Sequence, residues 1–353
     1  MKWVEPVFSK KRVKRAGESL INPACPEADK SEAMEVLSNW RASHAYPMHA
    51  ILIFLRARAT EIDEKAVVVQ RLKRTPSILS KLQRYDKMKL HRMQDIGGCR
   101  AVVSNVNQAE KLASDITASR TRHELHKVDD YIKEPKDSGY RGIHLIYKYN
   151  GKKEPYKDFF IEIQVRSKIQ HAWATAVEIV DTFTNQALKS SHGDKDWLDF
   201  FRNVSAEFAK FEKRPIDPEL EGVDTKAKVK ELSNKLSAVE RFRAFAVTTD
   251  FIGKEKTNKS DYYILELEEY AKVIKVIHYT KDDFETAVAK YLELETRAAK
   301  EEEYDVVLVS AGSIHNLKAA YPNYFADSTE FLKLFSRVLT ANMPVPRART
   351  PRR

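Results

Sequence analysis

Cysteine is nearly absent: Cys25 and Cys99 are the only two in 353 residues. Two distant cysteines make neither a disulfide framework nor a zinc cluster, and they suit a reducing, cytoplasmic compartment. Glycine and proline are also scarce, at 10 and 13 residues, which excludes collagen-like and low-complexity chains. The longest purely aliphatic and aromatic run, Ile51 to Leu55, is far short of the roughly 20 residues that cross a bilayer, so no membrane association is expected. Residues 1–15 are basic but lack a following apolar segment and cleavage site, so secretion is not expected either. What remains is 42% apolar and 32% charged, the composition of a folded, helix-rich chain. At roughly 150 residues per domain, its length suggests two domains.

Lys and Arg number 61 against 51 Asp and Glu, a net charge of +10 that favours anionic partners such as nucleotides or RNA. Much of the excess is local. Lys10, Lys11, Arg12, Lys14 and Arg15 crowd one terminus and Arg347, Arg349, Arg352 and Arg353 the other, where solvated tails would look the same.

Pattern and punctuation divide the chain into five parts. Residues 1–30 carry Pro6, Pro23 and Pro26 without periodicity and read as a basic arm. Residues 31–213 read as a first domain. It has helices over 31–45 and 48–59, β-branched strands at 101–103, 143–149 and 160–165, and a helix from Ser167 with Ile169, Trp173, Val177, Val180 and Leu188 on one stripe. Residues 214–239 are a linker that becomes a short charged helix. Residues 240–340 form a smaller second domain with strands at 242–248, 262–267, 272–278 and 305–310. Its helices fall at 282–300, 314–320 and 329–339, and 341–353 are a basic tail. The expected fold class is mixed α/β: a mixed sheet flanked by helices, followed by a smaller α/β domain. No internal repeat is visible, and the oligomeric state is not set by the sequence.

Three stretches carry chemistry. Arg71, Lys73 and Arg74 precede Thr75-Pro76-Ser77, with Lys81 and Arg84 beyond. Thr75 as N-cap and Pro76 in the first turn put cations beside free helix N–H groups, a polyphosphate site or a solvated basic helix start. Asp95 precedes Gly97-Gly98 at a strand entry. Glu162, Gln164 and Arg166 alternate with Ile161, Ile163 and Val165 and share one strand face. Asp95 with Glu162 suffices for Mg²⁺, which takes one or two carboxylates and completes its shell with water and phosphate, although a turn-capping Asp reads alike. Finally, Tyr140, Gly142 and His144 share a strand face after a loop containing Lys136. A bare glycine between two rings leaves a slot for a flat base, with Lys136 and Arg141 near phosphates, unless Tyr140 merely packs.

In order along the chain, these residues carry a resemblance. The set is Arg71-x-Lys73 with Ser77-Ile78 and Lys81, then Asp95-Ile96-Gly97-Gly98-Cys99-Arg100. Asp130-Tyr131-Ile132 with Pro135-Lys136 and Gly139-Tyr140-Arg141-Gly142-Ile143-His144 follows, and Ile161-Glu162-Ile163-Gln164-Val165-Arg166 closes it. Together they resemble the synthetase domain of RelA/SpoT-family proteins over roughly residues 40–210, including Gln170-His171-Ala172-Trp173-Ala174 and Glu178. The resemblance implies transfer of pyrophosphate from ATP, with Mg²⁺, onto a ribose hydroxyl. It puts Arg71, Lys73, Ser77, Lys81 and Arg100 at ATP and Asp95 at the metal, with Glu162 completing the metal site or activating the attacking 3′-hydroxyl. Lys136, Tyr140, Arg141, His144, Gln164 and Arg166 fall at the acceptor, whose base stacks on Tyr140. No His-Asp dipeptide occurs, so the hydrolase activity of long family members is not expected.

Residues 240–340 resemble the C-terminal domain of CapRel-type fused toxin–antitoxins, through Tyr262 to Leu267, Asp305 to Ser310 and above all Tyr321-Pro322-Asn323-Tyr324-Phe325. That resemblance implies that Tyr321 and Tyr324 block the ATP site until a phage major capsid protein binds, after which the 3′ CCA end of tRNA is pyrophosphorylated. Two other outcomes stay open: a small alarmone synthetase using GDP or GTP, and a non-catalytic nucleotide- or RNA-binding module.

Overall fold

The computed structural model describes residues 3–184, 194–242, 250–252, 262–268, 273–280, 282–298, 304–310 and 328–340. Leu188, the expected helix at 314–320, and Tyr321 and Tyr324 lie outside the described residues.

The first difference from the sequence reading is at the start. Residues 10–21 are not an arm but helix α1 (Lys10–Ile21), capped by the Ser9 hydroxyl and burying Val13, Ala16 and Gly17. Spacing of three and four residues puts these small side chains on one stripe. A Cβ on Gly17 would stand 2.7 Å from the Cβ of Leu90, so glycine is what lets the helix approach that closely. Helices α2 (Glu27–Ser43) and α3 (Ala45–Ile62) follow, broken at His44 rather than at Pro47, which sits harmlessly in the first turn of α3.

The sheet begins with β1 (Val67–Leu72) and continues through helix α4 (Thr75–Arg84) to β2 (Gly97–Val103). Arg74 is the N-cap residue of α4, so Thr75 is its first helical residue and not its cap. Next come α5 (Val106–Ala118), β3 (Glu124–Asp130), β4 (Ile143–Lys148), β5 (Phe160–Ser167) and α6 (Lys168–Thr184). Then α7 (Lys195–Phe211) and α8 (Thr225–Lys235) lead to β6 (Asp250–Ile252), β7 (Tyr262–Glu268), β8 (Val273–Tyr279), α9 (Phe284–Ala298), β9 (Tyr304–Ser310) and α10 (Thr329–Thr340). Phe242, expected to open a strand, instead lies in a helical turn, and the rest of that expected strand, 243–248, lies outside the described residues.

Among the described residues the strands form one nine-stranded sheet, ordered β3-β4-β5-β2-β1-β9-β7-β8-β6. β2 runs parallel to β5 and β6 to β8, while the other neighbours are antiparallel, so the expected mixed sheet is present. The expected boundary at 240 is crossed twice. β9 pairs with β1 through Gln70 and Arg71, and α10 inserts Phe331, Leu334 and Phe335 into the aromatic core built by α6, α7 and α8. Alternation decides which residues reach the site. Ile161, Ile163 and Val165 enter the core under α3 and α5, together with Cys99, Ala101, Leu145 and Tyr147, so Glu162, Gln164, Arg166, Arg100 and His144 occupy the other face. No described helix is long and apolar enough to cross a membrane.

Candidate active site

The strand register sets out the site in rows. Arg71 on β1 pairs with Gly98 on β2, which pairs with Glu162 on β5. Beside them, Arg100 on β2 pairs with Gln164 on β5, which pairs with His144 on β4. Lys73 follows β1 and is fixed by its N–H to the Ile96 carbonyl at 2.7 Å, immediately after Asp95 in the turn that enters β2.

Asp95 is gripped from two elements. Its Oδ2 accepts from Lys73 Nζ at 3.0 Å and from Lys81 Nζ, on α4, at 2.9 Å. Burial alone would raise its pKa, but the two ammonium groups outweigh this and hold the carboxylate below its ordinary range. Its Oδ1 is buried and makes no hydrogen bond among the described residues. A buried, ionised oxygen without a donor is what a hard cation requires, and Mg²⁺ needs few protein oxygens when phosphates supply the rest. The residues therefore fit a Mg²⁺–phosphate group at Asp95. Three or more metal-binding side chains do not converge among the described residues, so the protein alone does not form a closed cation cage. Ser77 lies in the first turn of α4, and Arg71 lies on the site face of β1.

Glu162 is held differently. His144 Nδ1 donates to its Oε1 at 2.9 Å and Gln164 Nε2 to its Oε2 at 2.6 Å. Burial opposes ionisation, but His144, Gln164 and Lys73 overcome it, so the Glu162 carboxyl stays well below the usual carboxylate range. His144 Nε2 meets the Tyr140 hydroxyl at 2.6 Å, and Arg166 Nε donates to that hydroxyl at 3.1 Å. Burial would lower His144 and raise Tyr140. Arg166 first and then His144 bring Tyr140 down to about 7, and Tyr140 and then Glu162 push His144 up to about 9. Arg166 Nη2 also donates to Gln164 Oε1 at 3.1 Å, and Arg100 Nε reaches the same oxygen at 3.4 Å.

Two sequence expectations change here. The space over Gly142 is not an open slot, because Arg166 Cγ and the Tyr140 hydroxyl each lie 3.2 Å from where a Cβ would be. Tyr140 is 6% exposed, with the Arg166 guanidinium 5.0 Å and Lys136 Nζ 5.2 Å from its ring centre. Arg141 does not face the acceptor side either. Its guanidinium is buried and donates to the Ile132 carbonyl at 3.0 Å and the Ser205 hydroxyl at 3.2 Å, pinning the loop to α7. Gln170 likewise serves the fold: with Ser167 it forms a reciprocal cap at the start of α6, at 3.1 and 3.2 Å.

Tyr131, which stands in the motif Asp130-Tyr131-Ile132 without a role assigned to it, is a site neighbour. Lys136 Nζ stands 4.3 Å over its ring, whose edge meets His144 at 5.2 Å. The only signal was the repetition of Tyr131, Lys136 and Tyr140 across one loop, which does not reveal that the loop folds back on itself.

Residues 70–180 match the family described as "Region found in RelA / SpoT proteins", so the chain carries a RelA/SpoT-type synthetase region. Over 116 residues the chain is 34% identical to "GTP pyrophosphokinase YjbM" of Bacillus subtilis (strain 168), a match covering 31% of this chain and 52% of that protein. The chain thus spans about half the length of that relative. Among solved structures, small alarmone synthetase 1 from Bacillus subtilis bound to its product pppGpp is 24% identical, at TM-score 0.39, over 47% of this chain and 90% of that one. A GTP pyrophosphokinase family protein from Streptococcus pneumoniae is 20% identical, at TM-score 0.40, over 52% and 91%.

Proposed function

We propose that the chain is an ATP- and Mg²⁺-dependent pyrophosphokinase whose acceptor is the ribose 3′-hydroxyl at the CCA end of tRNA. The observation that carries the reaction class is the pair of differently held carboxylates. Asp95 offers an unpartnered Oδ1 beside Lys73 and Lys81, and Glu162 is ionised one strand away, next to Gly98. The hydroxyl oxygen attacks the β-phosphorus of ATP, the bond to the α-phosphate oxygen breaks, and AMP leaves. Lys73 and Lys81 offset charge on the phosphates, with Arg71, Ser77 and Arg100 around the rest of ATP. Asp95, with Glu162 as second carboxylate, would hold Mg²⁺, which would supply charge neutralisation on the same phosphates. Glu162 accepts the hydroxyl's hydrogen bond and takes its proton as the new bond forms. A carboxylate kept so far below its ordinary range orients the nucleophile more than it strips it. Lys136, Tyr140, His144, Gln164 and Arg166 line the acceptor side, while Arg141 supports that loop from behind.

The tRNA acceptor is supported by the net charge of +10 and by the exposed basic residues of α1, which suit a polyanion better than a mononucleotide. A guanosine acceptor is the second reading, favoured by the relative named a GTP pyrophosphokinase. We further propose that the C-terminal residues restrain the enzyme through Tyr321 and Tyr324 until a phage major capsid protein engages them. The pairing of β9 with Gln70 and Arg71 on β1 supports that reading, since it ties the C-terminal strands to the ATP side.

The test is ATP labelled on its terminal phosphate, incubated with full-length protein and its Tyr324→Ala form, with deacylated tRNA, GDP and GTP offered separately. Label on tRNA with Tyr324→Ala above the parent supports the proposal. Label on GDP or GTP replaces the acceptor, equal transfer by both forms removes the restraint, and no transfer to any acceptor leaves the non-catalytic module.

A further inference from the structure

The contacts around Glu162 close on themselves. Arg166 Nη2 donates to Gln164 Oε1 at 3.1 Å, Gln164 Nε2 to Glu162 Oε2 at 2.6 Å, and His144 Nδ1 to Glu162 Oε1 at 2.9 Å. His144 Nε2 meets the Tyr140 hydroxyl at 2.6 Å, and Arg166 Nε returns to that hydroxyl at 3.1 Å. Five side chains from the β4 approach and one face of β5 make a continuous hydrogen-bonded ring. We infer that the Tyr140 hydroxyl is a positioning group for Glu162, acting through His144. This rests on the pyrophosphate-transfer reading above.

Both Glu162 oxygens are engaged, so the direction of the lone pairs left for a hydroxyl or a cation is fixed by the two donors. One donor, Gln164, is steadied by Arg166. The other, His144, is hydrogen-bonded on its far nitrogen by Tyr140, while Tyr131 meets only the edge of its ring at 5.2 Å. An imidazole anchored on both nitrogens has one ring orientation, and loss of the distal anchor frees it to rotate and to lose its aim at the carboxylate. The ring also explains two nearby residues. Gly142 has no Cβ because one would fall 3.2 Å from Tyr140 Oη and Arg166 Cγ. The aromatic body of Tyr140 is packed edge-on against Tyr131, at 5.8 Å, and Trp173, at 6.4 Å. That packing leaves the hydroxyl as the part that reaches the chemistry. A tyrosine serving only to stack a base would need an open face and no buried partner for its oxygen.

Tyr140→Phe separates the two roles, since it keeps the ring and removes the link. With full-length protein, labelled ATP and whichever of deacylated tRNA, GDP or GTP takes label from the wild type, kcat is expected to fall about 10- to 100-fold, the usual cost of losing an outer support. KM for that acceptor should stay within about threefold, as for an interaction made only in the transition state. Arg166→Lys opens the ring from the other side and should show the same split. A raised KM at unchanged kcat in Tyr140→Phe, or an unchanged kcat in both variants, overturns the inference while leaving the reaction class standing. A wild type that labels none of tRNA, GDP and GTP overturns both. Should either variant lose its fold, the wild type still decides: proton NMR of the full-length protein should show a slowly exchanging, low-field imidazole N–H that disappears on His144→Gln. Absence of that proton overturns the ring.

Discussion

Gly142 and Arg166 share a volume that only one side chain can fill. With φ at +149° and Arg166 Cγ 3.2 Å from a notional Cβ, the glycine is where β4 makes way for the guanidinium that braces Tyr140 and Gln164. Gly142→Ala should cost about 1–3 kcal/mol from backbone strain and crowding. It should also lower pyrophosphate transfer by more than the unfolded fraction explains, because displacing Arg166 loosens both donors to Glu162. Thermal midpoint and initial rate, measured on the same preparation, check this.

Asp95→Asn tests the other carboxylate. The change keeps size and removes the charge that two lysines share, in a site where Asp95 is 19% exposed and Lys73 and Lys81 are 21% and 28% exposed. Partly solvated pairs contribute little to folding, so stability should move by less than about 1 kcal/mol. Activity should drop sharply, and the Mg²⁺ concentration giving half-maximal rate should rise, because the unpartnered Oδ1 no longer carries charge. Rates over a Mg²⁺ titration, with EDTA abolishing transfer in the wild type, provide the measurement.

How much was legible beforehand differs between layers. The face shared by Glu162, Gln164 and Arg166 followed from alternation alone, because Ile161, Ile163 and Val165 had to be buried. The meeting of Lys73, Lys81 and Asp95 needed tertiary structure, yet the helix start at Thr75-Pro76 already set the two lysines on neighbouring elements. Arg141 was misread because a cation beside Tyr140 looks like a phosphate ligand, and nothing local says that Ser205 and the Ile132 carbonyl wait behind it. Helix α1 was missed because charge at Lys10, Lys11, Arg12, Lys14 and Arg15 masks an apolar stripe of only small residues. The slot over Gly142 failed for a related reason: the residue that fills it comes from another strand, 24 positions downstream.

His44 makes acid stability testable. It is 1% exposed, its Nδ1 lies 2.7 Å from the Trp40 carbonyl, and Trp40 and Phe159 close on its ring edge-on at 5.2 and 4.5 Å. Burial lowers it from 6.5 to about 3, against the pull of the Trp40 carbonyl and with help from Arg41. Between those values the unfolded chain binds a proton that the folded chain refuses, so stability falls as pH drops below 6.5 and the loss is complete near 3. At pH 5 the loss from this group is about 2 kcal/mol. Urea midpoints at pH 7.5 and pH 5 should therefore separate more in the wild type than in His44→Gln, whose side chain does not titrate. Equal separations would show that acid lability over this range arises elsewhere, because the lowered pKa values of Asp95 and Glu162 withdraw their stabilisation only at more acidic pH, below the ordinary carboxylate values.

The last described helix sets the mechanical limit on separating the C-terminal strands from the rest of the sheet. Phe331 on α10 packs against Phe242 at 5.0 Å, Phe208 at 6.0 Å and Phe201 at 6.4 Å, and Phe335 meets Phe200 at 5.7 Å. These rings complete the core on which α6 and α7 rest, and α7 in turn holds the 131–142 loop through Ser205. Phe331→Ala should cost about 3–5 kcal/mol, as large-to-small changes in packed cores do. Because it opens the support beneath Arg141, it should also lower transfer at temperatures where the chain is still folded. A truncation near residue 235 removes Phe242, Phe331, Leu334 and Phe335 together and should leave α6 and α7 with an exposed aromatic face, prone to aggregate. Calorimetry decides the point. One cooperative transition in the full chain, shifted as a whole by Phe331→Ala, is the expected result. Two transitions, with only the smaller one shifted, would mean that the C-terminal residues fold as a unit apart and that α10 lends the synthetase region nothing.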